Sequence, residues 1–175
     1  TIAIIDKYFS GWKPGADVRQ PVFPAQRKLT APSDTTIIGK QAEQVWVAWL
    51  ANKASDLQCD TLDVIDDMLS NGRAGIFDLN LNQTMKVQGA GAGMQDQQDY
   101  SSFVLMGQPK PNQSLKEVRD LMMAEIENLK KGNFSDDLLP SVVNNKKLNY
   151  QRAMENNRWR TNQFMNAFIN GTSWE

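Results

Sequence analysis

The 175-residue chain carries 19 lysine and arginine residues against 20 aspartate and glutamate residues, and 41% of its residues are hydrophobic. This near-neutral balance provides no global positive field that would attract nucleic acid or a membrane surface, so neither partner is expected. The chain has no histidine and a single cysteine, Cys59. It therefore lacks the commonest general base and the commonest zinc ligand, and it can form neither an intrachain disulfide nor a thiolate metal cluster.

The N-terminal part is predicted to contain a helix, a proline-rich connector and a strand. Apolar residues recur at helical spacing over residues 1–12, which indicates a helix that ends near Gly11. Prolines exclude helix over residues 18–32, and residues 35–40 (TTIIGK) could form a short strand. Residues 43–51 (EQVWVAWLA) are apolar on both faces, which favours a central strand or a strand covered by a partner domain.

Residues 55–72 are predicted to form a helix that ends at Gly72. Its apolar stripe contains Leu62, Ile65 and Leu69, and four carboxylates are expected to face away from it: Asp60, Asp63, Asp66 and Asp67. Carboxylates bind hard cations, but these are spread along a helix and do not form a D-x-D-x-D-G loop. A solvated helix face is therefore the favoured interpretation, and only the last three aspartates could cluster.

The stretch MKVQGAGAGMQ, residues 85–95, places glycine at every second position. A dinucleotide-binding loop needs G-x-G-x-x-G at the start of a helix, whereas here Met94 occupies the third glycine position. A polar turn and a strand around residues 100–107 follow, so the sequence predicts a hairpin. A nucleotide-binding domain that uses Gly89–Gly93 is thus a disfavoured alternative, because no helix N-terminus follows to receive a phosphate. Glycine within a strand indicates a bend, a bulge or the close approach of another backbone.

Three further helices complete the prediction. A short helix is expected over residues 74–80, and a longer one over residues 115–131 begins with a capping box formed by Ser114 and Glu117. A third helical segment runs from Ser135 to Gly171, with a break among its asparagines. It carries five cations that helical spacing scatters: Lys146, Lys147, Arg152, Arg158 and Arg160. The order of elements predicts an α+β fold, a two-layer sandwich with a mostly antiparallel sheet and helices packed on one side.

Several phrases in this order resemble one protein family. They are EQVWVAWLANKASD, CDTLDVIDDMLSNG and VRDLMMAEIENLKKGNFSDDLL. The chain resembles the pitrilysin/insulinase family of zinc metallopeptidases, which includes the mitochondrial processing peptidase, and within it the second, non-catalytic domain of one half. The resemblance implies that residues 1–12 are the tail of the preceding domain's last helix and that residues 13–175 form a single non-catalytic domain. The chain is accordingly expected to be part of a longer polypeptide.

The resemblance implies a supporting function without chemistry in this chain. In the family, zinc is bound by an H-x-x-E-H motif in a neighbouring domain of the parent protein, and this chain has no histidine and no expected cofactor of its own. Some active members also supply an arginine and a tyrosine from a later domain. The matching phrase here, FDLNLNQTMKVQGAGAG, has no arginine, and Val87 or a neighbour stands in the tyrosine position. Direct catalytic assistance is therefore not expected, and the chain alone is predicted to be inactive.

The resemblance also implies partners and a location. The expected partners are the catalytic zinc domain of the same parent chain and a peptide or unfolded protein held in a chamber. The predicted chamber-wall residues are Val87, Gly89, Gly91 and Gly93, and strand edges beside them could pair with a peptide through main-chain groups. A periplasmic or cell-envelope location is expected from similar family members. The alternative from another class is a purely structural scaffold, as in inactive family subunits that stabilise a partner.

Overall fold

The computed structural model describes residues 1–13, 15, 24, 27 and 29–173, and most of the proline-rich segment predicted over residues 18–32 lies outside them. In chain order the elements are α1 (Ile2–Phe9), β1 (Val45–Ala51), α2 (Leu57–Leu69), a π-helix (Asp78–Asn82), β2 (Gly89–Gln95), β3 (Ser101–Gln108), α3 (Leu115–Lys130), α4 (Leu138–Met154) and α5 (Asn157–Asn170). The predicted α+β fold is confirmed. Within these residues no helix is long and apolar enough to cross a membrane.

The three strands form an antiparallel sheet in the order β1-β3-β2. Leu105 of β3 lies opposite Val47 of β1 and Ala92 of β2, which sets the register of both pairs. The predicted hairpin of β2 and β3 is confirmed. The prediction that residues 43–51 form a central strand is wrong for the strands described here, because β3 occupies the centre and β1 lies at an edge. The predicted strand over residues 35–40 is also wrong, since this segment is irregular and Ile37 and Ile38 are exposed.

One face of the sheet carries the core, and we call it the covered face. Phe103 and Leu105 of β3 lie on it and belong to one buried cluster with Leu69 of α2 and with Val118 and Met122 of α3. Helix α3 packs so closely that a methyl group added at Gly107 would lie 2.5 Å from the Val118 side chain. The glycine therefore lets the helix approach the strand, and the burial of these side chains supplies the main stabilisation of the fold.

The helix boundaries follow local capping chemistry. The predicted capping box is present, because the Ser114 hydroxyl accepts from the Glu117 backbone N–H and the Glu117 carboxylate accepts from the Ser114 backbone N–H. The predicted break among the asparagines falls at Asn156, whose side chain accepts from the Trp159 backbone N–H and starts α5. Gly171 ends α5 in the left-handed conformation with φ of 64°.

The short helix predicted over residues 74–80 is shifted and widened into a π-helix over Asp78–Asn82. Asp78 is the first residue of this π-helix, and its buried carboxylate accepts from the backbone N–H groups of Asn71, Arg73 and Gly75 at 3.0–3.1 Å. These bonds hold the preceding loop in place with a side chain, and the helix begins after it. Asp78 is therefore a structural carboxylate, fully used by the loop.

Candidate functional site

The three alternate glycines of β2 lie on the sheet face opposite the core. Gly91 lies opposite Met106, and Gly93 lies opposite Val104, whereas Ala90, Ala92 and Met94 pack against the buried cluster. Because side chains alternate along a strand, the repeat G-A-G-A-G-M places alanine toward the helices and glycine away from them. We call this second face the open face; it consists of Trp46, Ala48, Leu50, Gly89, Gly91, Gly93, Gln95, Ser102, Val104, Met106 and Gln108.

The middle of the open face is apolar, and its polar residues lie toward the two ends. Trp46 is 53% exposed, Leu50 42% and Met106 37%, while Val104 at the centre is buried. None of these four side chains belongs to the buried cluster on the covered face. An exposed tryptophan, leucine and methionine on one sheet face form the kind of contiguous apolar patch that indicates an interaction site.

Nothing in the described part of the chain requires glycine at these positions. A methyl group added at Gly93 would meet no atom within 4 Å, and at Gly89 or Gly91 it would make an ordinary contact at 3.6 or 3.5 Å. The positive φ values of the described glycines occur elsewhere, so these three are not required by backbone conformation. Their effect is to leave a row of bare backbone on the open face, where another chain can approach closely.

Val87, the fourth residue predicted for the chamber wall, lies apart from the glycine row. Its side chain is 2% exposed and belongs to the buried cluster with Leu81 and Leu105. Val87 therefore stabilises the start of β2 from inside the fold and does not share the exposed surface of the three glycines.

The outer edge of β2 is occupied by side chains of the same chain. The Asn82 amide donates to the Ala90 carbonyl at 2.9 Å, and its oxygen accepts from the Ala90 backbone N–H at 2.7 Å. This pair of bonds reproduces what a neighbouring strand would supply. Four residues further on, the Asp66 carboxylate accepts from the Met94 backbone N–H. A peptide could not add to β2 at Ala90 or Met94 without displacing these groups.

Asp66 departs from the prediction that all four aspartates of α2 face away from the apolar stripe. Its carboxylate points toward β2, one oxygen is buried without a hydrogen-bond partner, and burial together with Asp67 and Asp63 raises its pKa to about 6. Asp63 and Asp67 cluster with it as expected, but around an ammonium group. The Lys146 nitrogen of α4 lies 2.7 Å from Asp63 and 2.8 Å from Asp67.

This acidic cluster does not fit a metal ion. Burial alone would lower the pKa of Lys146, but its bonds to Asp63 and Asp67 outweigh burial and raise it, so the ammonium stays charged. The cation position between the helices is thus filled by the protein's own side chain, and no group of metal-binding side chains is found among the described residues. With no histidine in the chain, these residues do not fit a zinc site.

The glycines also do not form a phosphate loop. They lie within β2, and the next element is β3, so no helix N-terminus follows them. The first helix after Gly93 begins at Leu115, beyond the whole of β3. The hairpin expected from the sequence therefore replaces the strand-loop-helix arrangement that a nucleotide would need.

Comparison with known proteins gives the family. Residues 1–146 match the peptidase M16 inactive domain. The chain belongs to this family. The M16 match confirms the resemblance to pitrilysin-type metallopeptidases and the assignment to a non-catalytic domain.

A solved structure shares the fold of this M16 domain. It is described as the crystal structure of a protease from Helicobacter pylori, and it matches with a TM-score of 0.69 and 19% sequence identity over 73% of this chain. The match covers 31% of the length of that protease, so the M16 domain described here corresponds to about a third of it. No curated protein sequence matches the chain.

Proposed function

We propose that this M16 domain forms part of the wall of a peptide-binding chamber and packs beside the catalytic zinc domain of the same parent polypeptide. The observation that most directly supports this proposal is the row of glycines Gly89, Gly91 and Gly93, which lies on the face away from the helices. Nothing in the described part of the chain requires glycine at these positions. A face of this kind lets an extended peptide lie close to the sheet, and the apolar side chains beside it offer sequence-tolerant contacts.

The domain contributes surface and support in this proposal, and the chemistry belongs to its partner. Asp63 and Asp67 on α2 are paired with Lys146, and the buried carboxylates Asp78 and Glu125 are engaged by hydrogen bonds within the fold. The family membership supports a catalytic domain elsewhere in the parent chain. A periplasmic or cell-envelope location, proposed from the resemblance, is checked by fractionating cells that express the parent protein.

The test adds bulk to the glycine row in the parent protein. Gly93→Leu should change the melting temperature little, because its Cβ atom would meet no atom within 4 Å, but it should raise the KM for a peptide substrate about tenfold, or about 1.4 kcal/mol. Gly39→Leu is the matched control, since it also has open space but lies outside the sheet. An unchanged KM in Gly93→Leu would contradict the chamber-wall role. A parent protein without the H-x-x-E-H motif and without peptide cleavage would favour the scaffold alternative.

A further inference from the structure

Strand β2 has the composition of a strand that is difficult to hold in one shape. Three of its seven residues, GAGAGMQ, are glycines, and glycine loses more backbone freedom on ordering than any other residue. Among the described strands, β2 has a neighbour on one side only, which is β3. Without support on its outer side, such a strand would have to be ordered partly by whatever binds to it.

The outer side of β2 is supported by side chains at two positions. At the first, the Asn82 amide donates to the Ala90 carbonyl at 2.9 Å, and its oxygen accepts from the Ala90 N–H at 2.7 Å. At the second, the Asp66 carboxylate accepts from the Met94 N–H. The two positions bracket the second and third glycines of the row. The flexible part of the strand is therefore restrained from both ends.

Asn82 is itself held in place by the π-helix that it ends. The preceding residue, Leu81, is fully buried in the core. The Asn82 amide nitrogen also lies 3.4 Å from the Asp78 carboxylate, which is bonded to the loop before the π-helix. A π-helix is a rare element that occurs frequently at functional sites. The amide thus meets β2 from a fixed support, and it bonds to both backbone groups of one residue.

We propose that Asn82 is a positioning residue for peptide binding, because its two bonds to Ala90 hold the glycine row in the shape that a peptide meets on the open face. A surface that is ordered before binding adds no further loss of conformational entropy when the peptide arrives. The inference rests on the proposed chamber-wall function and deepens it. Asn82 acts through β2, whereas an asparagine with a purely structural role would affect stability alone.

A pair of asparagine variants in the parent protein separates these roles. Asn82→Ala removes both bonds to Ala90. Asn80→Ala is the matched control, since Asn80 lies in the same π-helix but donates to the Glu125 carboxylate at 2.9 Å. Both variants lose side-chain hydrogen bonds, so both should lower the melting temperature by a few degrees.

Only Asn82→Ala should also weaken peptide binding. Its KM for the peptide substrate should rise about fivefold with kcat unchanged, because a loosened wall contacts the ground state and the transition state equally less well. Asn80→Ala should keep the wild-type KM. Equal KM values for the two variants would overturn the proposal and leave Asn82 with a structural role.

Amide hydrogen exchange measures the positioning without catalysis. Because the Ala90 N–H points outward to Asn82, the alternate amides of Gly91 and Gly93 face β3. These two amides should exchange about tenfold faster in Asn82→Ala than in wild type. They should keep the wild-type rate in Asn80→Ala. Wild-type exchange in Asn82→Ala would show that β2 is ordered without the asparagine, and would overturn the proposal.

A third variant keeps the test decisive if Asn82→Ala does not fold. Asn82→Gln retains the amide on an arm one methylene longer, so its KM should lie between those of wild type and Asn82→Ala. A KM equal to that of Asn80→Ala would overturn the positioning role. Gly93→Leu separates this inference from the proposed function. A raised KM in Gly93→Leu with a wild-type KM in Asn82→Ala overturns the positioning alone, whereas an unchanged KM in Gly93→Leu overturns both.

Discussion

The covered face and the open face of the sheet are built from the same strands but use their small residues for different purposes. At Gly107 on the covered face, an added methyl group would lie 2.5 Å from Val118 and 2.9 Å from Met122. At Gly93 on the open face, the same group would meet nothing within 4 Å. The first glycine is explained inside the domain, since α3 fills the space above it. The second glycine leaves a space that no described residue fills.

Adjacent residues of β3 give the largest expected contrast between the faces. Leu105 is fully buried on the covered face, and Met106 is 37% exposed on the open face. Leu105→Ala should reduce the free energy of unfolding by about 3 kcal/mol, through lost burial and the cavity it leaves. Met106→Ala should cost about 0.5 kcal/mol. Urea unfolding of the two purified variants measures the difference, and similar losses would show that the open face is as tightly packed as the core.

A single methyl group added at Gly107 or at Gly93 tests the same difference between the two faces. Gly107→Ala should lower the free energy of unfolding by about 2 kcal/mol, because α3 or the strand must move to accept the methyl group. Gly93→Ala should change it by no more than about 0.5 kcal/mol. Thermal and urea unfolding of the matched pair provide the measurement. A neutral Gly107→Ala would mean that α3 does not press on β3 as closely as the structure shows.

The smallest expected effect is the pH dependence of stability that comes from Asp66, the α2 residue that faces the edge of β2. Burial, Asp67 and Asp63 raise the pKa of Asp66 from 3.8 to about 6 in the folded protein. A raised folded-state pKa gives stability that is fully present below pH 3.8 and is lost as the pH rises through 6. Lowering the pH from 7 to 5 should thus stabilise wild type relative to Asp66→Asn by about 1 kcal/mol, after discounting for solvent screening of this half-buried group.

Urea unfolding at the two pH values checks this contribution. Asp99→Asn, at the exposed turn between β2 and β3, is the matched control for the loss of one negative charge. If Asp66→Asn and Asp99→Asn show the same pH dependence, Asp66 does not hold the edge in the way its buried oxygen indicates.

Most of the helices could be predicted from local sequence patterns. The capping box at Ser114 and Glu117 and the alternation of glycine and alanine in β2 were readable because each depends on neighbours in the chain. The position of β1 at an edge of the sheet could not be predicted from the sequence. A strand with two apolar faces has the same pattern whether its second face is covered by a helix of this domain or by another domain. The inward turn of Asp66 was missed for a similar reason: helical spacing places it on a polar face, while the edge of β2 that it meets is distant in sequence.

The two hydrogen bonds between the Asn82 side chain and the Ala90 backbone also limit how the sheet can be extended. A strand edge that is free on both sides lets identical molecules add one after another without end, as in a fibre. Here Asn82 already occupies one side with two hydrogen bonds. A strand can therefore add to β2 at Ala90 only after both hydrogen bonds to Asn82 have broken. One asparagine thus opposes growth of the sheet from this position, at the cost of two bonds for any strand that displaces it.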